Sequence, residues 1–199
     1  MESASPLPLV PAFFATTLEM VRFASSFFIV AVAVGGFCTP LKRTANEIKQ
    51  DIATLTSKAS QMASSIEAFI TPDIRAALAV HAANAQIDTY LTQATTHALA
   101  TPRLTLADAQ DIVGLLKRNV DVNARALALL RSKVDLVKAI PVSGAVALVH
   151  GDLVNTSKAS SKYVDALKAT ILDKDQTNVL KALEAKGAAD FARTAALFV

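Results

Sequence analysis

The chain has 199 residues, 52% of them hydrophobic, with no Trp, 6 Gly, 7 Pro, one Cys and alanine near a fifth of all positions, a composition that favours helix over sheet. The formal net charge is only +3, and the lysines and arginines are scattered among carboxylates rather than gathered into a basic stripe, which argues against a nucleic-acid partner. The length suits one domain plus a leader and is enough to bury a substantial core.

Residues 1–19, with Pro6, Pro8 and Pro11, read as an extension ahead of a start at Met20. From there MVRFASSFFIVAVAVGGFCTPLKR carries Arg22, an apolar run over 23–34, the small pair Gly35-Gly36 and Pro40, which is the layout of a secretory signal peptide. The run is nearer about 15 residues than the 18 or more a bilayer span needs, so no stable transmembrane anchor is expected. The signal peptide and a short dibasic pro-segment together span 20–43, and Lys42-Arg43 at the end is a candidate processing site of the secretory pathway. Cleavage there removes Cys38, leaving neither a disulfide framework nor a thiol nucleophile in an exported mature chain.

The helical pattern starts at Thr44, where Ile48, Ile52, Leu55, Ala59, Met62, Ile66 and Phe69 repeat at four and three, one seam of a helix. Thr71-Pro72-Asp73 restarts the chain as N-cap, first-turn proline and first-turn carboxylate of a second helix carrying Ile74, Leu78, Ala83, Ile87, Leu91 and Ala94. Residues 104–137 contain no proline and read as one central helix about 50 Å long, capped by Thr105 with Asp108 three residues on. Ile140-Pro141 stops it, because the residue before proline is pushed out of the α region. A fourth helix over 143–171 and a fifth after a break at 173–175 complete an all-α fold: a single five-helix antiparallel bundle over 44–199, preceded by a cleavable hydrophobic leader.

Catalytic chemistry is scarce. His81, His97 and His150 lie far apart with no second ligand at metal spacing, so none is assigned to a metal. No glycine-rich phosphate loop or GxSxG elbow occurs, Asp108 and Asp111 suit a helix N-terminus, and Glu47 with Asp51 reads as a solvated face. The pattern points away from an enzyme and implies no cofactor. Asn155-Thr156-Ser157 completes an N-glycosylation acceptor at Asn155, although on a helix.

The signal peptide, dibasic spacer, I-x3-I-x2-L opening, LTLADAQDIVGLL entry to the central helix, HGDLVNTSKASSKYVDAL and final LEAKGAADFARTAALF together resemble the fungal hydrophobic surface binding protein A family, to which the cell-wall galactomannoproteins of moulds are similar. The resemblance covers residues 44–199 and rests on patterned apolar positions. It implies a secreted, non-enzymatic helical protein, extracellular or in the cell wall, that adsorbs to hydrophobic surfaces, can recruit a polyester hydrolase there and, as in the galactomannoproteins, encloses a fatty acid between its helices. Cell-wall members often carry a serine- and threonine-rich tail with a lipid anchor signal; this chain ends at Phe198-Val199, so a free, monomeric secreted form is expected.

Material for an apolar lining is present in Leu55, Met62, Phe69, Ile87, Leu91, Leu116, Leu127, Leu130, Leu153, Leu167 and Phe191, each of which would equally serve a packed core. Tyr90, Ser160 and Tyr163 are polar groups near these seams able to hold a carboxylate head. The apolar face of the central helix is broader than a simple seam needs, so Leu116, Leu127 and Leu130 are expected to face a void or a ligand.

Overall fold

The computed structural model describes residues 44–199; the extension, the leader, Cys38 and the Lys42-Arg43 pair lie outside the described residues. Those described form six helices rather than five: α1 (Ala45–Ala68), α2 (Ile74–Leu99), α3 (Leu106–Arg131), α4 (Val134–Lys138), α5 (Ala145–Thr170) and α6 (Lys174–Ala195). None of them is long and apolar enough to cross a membrane.

The helix starts follow local hydrogen-bond chemistry. Thr44 and Glu47 form a reciprocal capping box, the Thr44 N–H donating to the Glu47 carboxylate at 2.7 Å and the Glu47 N–H to the Thr44 hydroxyl at 3.4 Å. Thr105 caps α3 by accepting from the Asp108 N–H at 3.2 Å. The second helix departs from expectation: Asp73, not Thr71, is its N-cap, accepting from the Arg75 N–H at 2.9 Å. A carboxylate interacts with the positive end of a helix more strongly than a hydroxyl does, and Thr71, preceding a proline, is held away from the helical region.

The expected single helix over 104–137 is broken, with α3 ending at Arg131 and α4 beginning at Val134. Ser132 accounts for the break. Its hydroxyl donates to the Leu129 carbonyl at 2.7 Å, and the N–H groups of Ser132 and Lys133 bond to Leu129 and Leu130 at 3.0 Å in the tighter three-residue pattern. The chain therefore turns, and Val137 and Ile140 fold inward, 3% and 6% exposed. A straight continuation would have carried them along the α3 axis instead.

Consecutive long helices are antiparallel, as their short connections require, but the bundle is not antiparallel throughout. α1 packs on α2 and α3, α3 on α6, α6 on α5 and α5 on α2, closing a ring of five. Lys49 meets Asp108 and Asp111 at the start of α3 while Glu67 meets Arg125 toward its end, so α1 and α3 run parallel. The same holds for α2 and α5, through His81 with Asp152 and Asn84 with Thr156, and for α3 and α6, through Asp121 with Lys186 and Arg131 with Thr194. Five cylinders about 10 Å across, touching in a ring, leave an axial channel of about 3.5 Å radius, against about 2 Å for four. A five-membered ring must therefore either fill its axis with large side chains or stay partly hollow.

The α1–α3 contact also sets an acid sensitivity. The Thr105 hydroxyl and then the Lys49 ammonium, 3.1 Å away, hold the Asp108 carboxyl below the usual carboxylate range. A depressed folded pKa contributes stability that is present above the unfolded value and lost as pH falls through the folded one. Thermal unfolding followed downward from about pH 6 should show Tm declining below about pH 4, and declining less steeply in Lys49→Met. Identical slopes for the two proteins would show that the clamp is thermodynamically silent.

Candidate functional site

The ring is partly hollow. A cavity of about 360 Å³ lies toward the C-terminal end of α1, and a smaller one of about 60 Å³ lies nearer the middle of the bundle. Leu127 and Phe191 are the residues common to both linings and form the wall between them. Small side chains explain the void. Ala126, fully buried on α3, and Ala77 and Ala145 stand at inward positions where larger groups would fill the axis. Alanine supports helix formation without supplying volume, so an alanine-rich chain can close five helices around a space.

The larger cavity has an apolar rim. Ile74 and Leu78 from the first turns of α2, Val142 from the loop ahead of α5 and Leu148 from α5 line it, yet are 36%, 49%, 46% and 40% exposed. Gly144 turns that loop into α5 at φ +91°, a conformation that a side chain with a Cβ would strain.

The structure divides the sequence-derived lining residues. Leu55, Leu91 and Leu116 border the smaller cavity, Met62, Phe69, Leu130 and Leu153 the larger, and Leu127 and Phe191 both. Leu116, Leu127 and Leu130 thus all border open space. Ile87 and Leu167, 4% and 0% exposed, line neither cavity and are packed into the core between helices. Ser160 and Tyr163 border the smaller cavity, whereas Tyr90 lies on an outer groove beside Lys58 and its hydroxyl is already committed, donating to Asp51 at 3.0 Å. Asn155 is exposed on α5, along a second outer groove.

Two polar clusters were not legible as such. Asp51, expected on a solvated face, is 4% exposed and lies 3.0 Å from both the Tyr90 hydroxyl and His97 Nδ1. Its register explains this: it sits between the seam residues Ile48 and Ile52, where α2 crosses. Burial, reinforced by the charge of Asp51 and by Tyr90, pushes the Tyr163 phenol far above its ordinary range, so it stays protonated. Its hydroxyl has no hydrogen-bond partner.

The second cluster stands at the larger cavity. His81, Asn84 and Asp152 line it, and His81 Nδ1 is 2.8 Å from the Asp152 carboxylate. Asn84, 6% exposed, occupies the inward register that Ala83 was expected to hold, because the spacing Asn84, Ile87, Leu91, Ala94, Ala98 continues the three-four seam and Ala83 falls beside it. Thr156 Oγ1 contacts both Asn84 and Asp88. Burial pushes the Asp88 carboxyl up, the Thr156 hydrogen bond opposes this, and the charge of Asp152 adds to the rise.

The same fold occurs in solved structures of fungal proteins. Afmp4p in complex with palmitic acid is 23% identical with a TM-score of 0.74, over 78% of this chain and 100% of that one. Ligand binding domain 1 of the Penicillium marneffei MP1 protein, complexed with arachidonic acids, is 15% identical with a TM-score of 0.71, over 78% and 99%. Ligand binding domain 2 of the same protein, complexed with multiple arachidonic acids, is 17% identical with a TM-score of 0.68, over 80% and 98%. Among curated proteins no sequence matches significantly. The model of hydrophobic surface binding protein A matches residues 45–169, more than half of the chain, and the protein therefore belongs to the hydrophobic surface binding protein A family.

Proposed function

We propose that this chain is a secreted, non-enzymatic lipid carrier that encloses the hydrocarbon chain of a fatty acid or kindred acyl lipid inside its helical ring. The observation that carries this reading is the cavity of about 360 Å³, walled by Met62, Phe69, Leu127, Leu130 and Leu153. That volume falls within the range typical of small-molecule sites. Burying an acyl chain of about sixteen carbons at about 0.8 kcal/mol per methylene is worth at most about 12 kcal/mol, and association costs of about 4 kcal/mol or more still leave micromolar or tighter binding. The solved relatives bound to palmitic and arachidonic acids support the same reading.

A second element of the proposal concerns surfaces. The exposed rim of Ile74, Leu78, Val142 and Leu148 lets the cavity mouth dock on wax, cutin or plastic, where the protein would also recruit a polyester hydrolase. Exposed apolar groups clustered around a cavity entrance are the kind that mark interaction sites.

The decisive experiment is displacement of a fluorescent acyl probe from delipidated protein. Saturable displacement by long-chain lipids is expected, with no effect of short-chain analogues. Absence of any saturable acyl binding, with adsorption to polyester beads retained, would leave only the surface-coating role.

A further inference from the structure

The polar groups of the larger cavity that reach water stand at its mouth. His81 follows the rim residue Leu78 by three positions on α2, Asp152 follows Leu148 by four on α5, and Ser143 follows Val142 in the loop. Residues three and four apart share a helix face, so His81 and Asp152 each lie one turn along from the exposed apolar rim. Their side chains are 37% and 19% exposed, and Ser143 is exposed as well, whereas Asn84, Leu127, Leu130, Leu153 and Phe191 on the same lining are buried. An amphiphile whose tail occupies the buried apolar part leaves its head beside His81, Asp152 and Ser143.

The charges at this mouth are few. His81 and Asp152 are the titratable side chains among the residues that line the cavity. The helices packed on α2 bring no other charge there: α1 contributes Met62, Ile66 and Phe69, and α5 contributes Leu148, Val149 and Leu153 around Asp152. Elsewhere on these helices, His150 meets the Ala195 carbonyl and Asp88 meets Thr156, while Arg75 lies outside the lining. A carboxylate entering the mouth therefore has one cationic partner open to it, the imidazole of His81.

That imidazole is already oriented. Its Nδ1 is 2.8 Å from the Asp152 carboxylate, which can only accept, so Nδ1 holds a proton. Nε2 has no protein partner among the described residues, and neither does the Ser143 hydroxyl. In the neutral ring Nε2 is a bare lone pair that repels a carboxylate, as Asp152 also does. A second proton turns Nε2–H into a charged donor and sets one positive charge between two negative ones.

We propose that the mouth is a head-group site for an ionised long-chain carboxylate, held by the Nε2–H of protonated His81 with the Ser143 hydroxyl as a second donor, and that loading takes up a proton from solvent. Asp152 is the positioning residue, fixing the ring and offsetting its charge. This inference rests on the proposed enclosure of a fatty acid and names how its head is held.

The test titrates delipidated protein with palmitate and with methyl palmitate, which keeps the tail but not the charge, at about pH 6 and about pH 8.5. A monomeric carboxylic acid stays ionised across this span, while histidine side chains change charge within it. Palmitate should bind about tenfold more tightly at the lower pH, and methyl palmitate equally at both. His81→Gln, uncharged throughout and still able to donate to Asp152, should make the palmitate-to-ester ratio the same at both pH values. Calorimetry of palmitate binding to the unmodified protein at about pH 7.5, in two buffers of different ionisation enthalpy, should register net proton uptake and keeps the test decisive should His81→Gln misfold. A pH-independent ratio in the unmodified protein, a pH response that persists in His81→Gln, or binding without proton uptake overturns the head-group site while leaving acyl enclosure standing. If neither probe binds, enclosure itself fails and the head-group inference falls with it.

Discussion

Ala126→Phe is expected to reduce affinity for a sixteen-carbon acyl lipid by about 100-fold without loss of helical content. Ala126 is buried on α3 among the residues that line the larger cavity, so a benzyl group placed there takes up room at that wall. The ring occupies room that about three or four methylenes of the ligand would otherwise use, and about 0.8 kcal/mol for each gives about 3 kcal/mol, close to a 100-fold loss. The stability effect should have the opposite sign from that of most core enlargements. Overpacking costs about 1–3 kcal/mol when a core is already full, whereas filling a pre-existing void restores dispersion contacts that its lining lacked. An unchanged or raised Tm together with weakened lipid binding is thus the expected pair of results, read by thermal unfolding and probe displacement. A clear drop in Tm with lipid affinity intact would mean that α3 at this point is tightly packed and that the lipid, if any, lies elsewhere.

The contrast between what the chain declared and what it concealed has a physical basis. Local signals were reliable: the helix start at Thr44, the Thr105 cap and the four-three seam of α1 from Ile48 to Phe69 all concern residues within a few positions of one another. The break at Ser132 is also local, yet Ser is tolerated inside many helices, and only the inward demand of Val137 and Ile140 decides that its hydroxyl competes with the ladder here. Asp51 and Asn84 were misplaced for another reason. Polar residues one step from an apolar seam look solvated until the crossing helix is known, and it is Tyr90 and His97 from α2, and Thr156 from α5, that satisfy them. The cavity was least legible. Leu116, Leu127 and Leu130 have the same identity whether they face a neighbour or a void, and the void arises from the ring of five and its inward alanines, which no single segment encodes.

Phe191→Ala addresses the wall between the two cavities. Phe191 is 7% exposed on α6 and, with Leu127, borders both spaces. Phe→Ala in a core costs about 3–5 kcal/mol, and here the low end applies, because a ring already flanked by voids forfeits fewer contacts on truncation. For a domain of this size about 3 kcal/mol corresponds to a Tm lower by about 10 °C. The functional consequence runs the other way. Removing the ring joins the larger cavity to the smaller one and exposes a ligand to the unpartnered Tyr163 hydroxyl, a permanent donor beyond the wall. Acyl chains of about twenty carbons or more should then gain on sixteen-carbon chains by up to about 100-fold, since each additional buried methylene contributes about 0.8 kcal/mol that the intact wall denies. Saturating long-chain lipid should also recover part of the lost Tm, because a ligand that binds only the folded state stabilises it. The two readouts separate the roles of the residue: a destabilised protein whose chain-length profile is unchanged marks Phe191 as ordinary core, whereas a shifted profile identifies it as the stop that sets how long a chain the ring accepts.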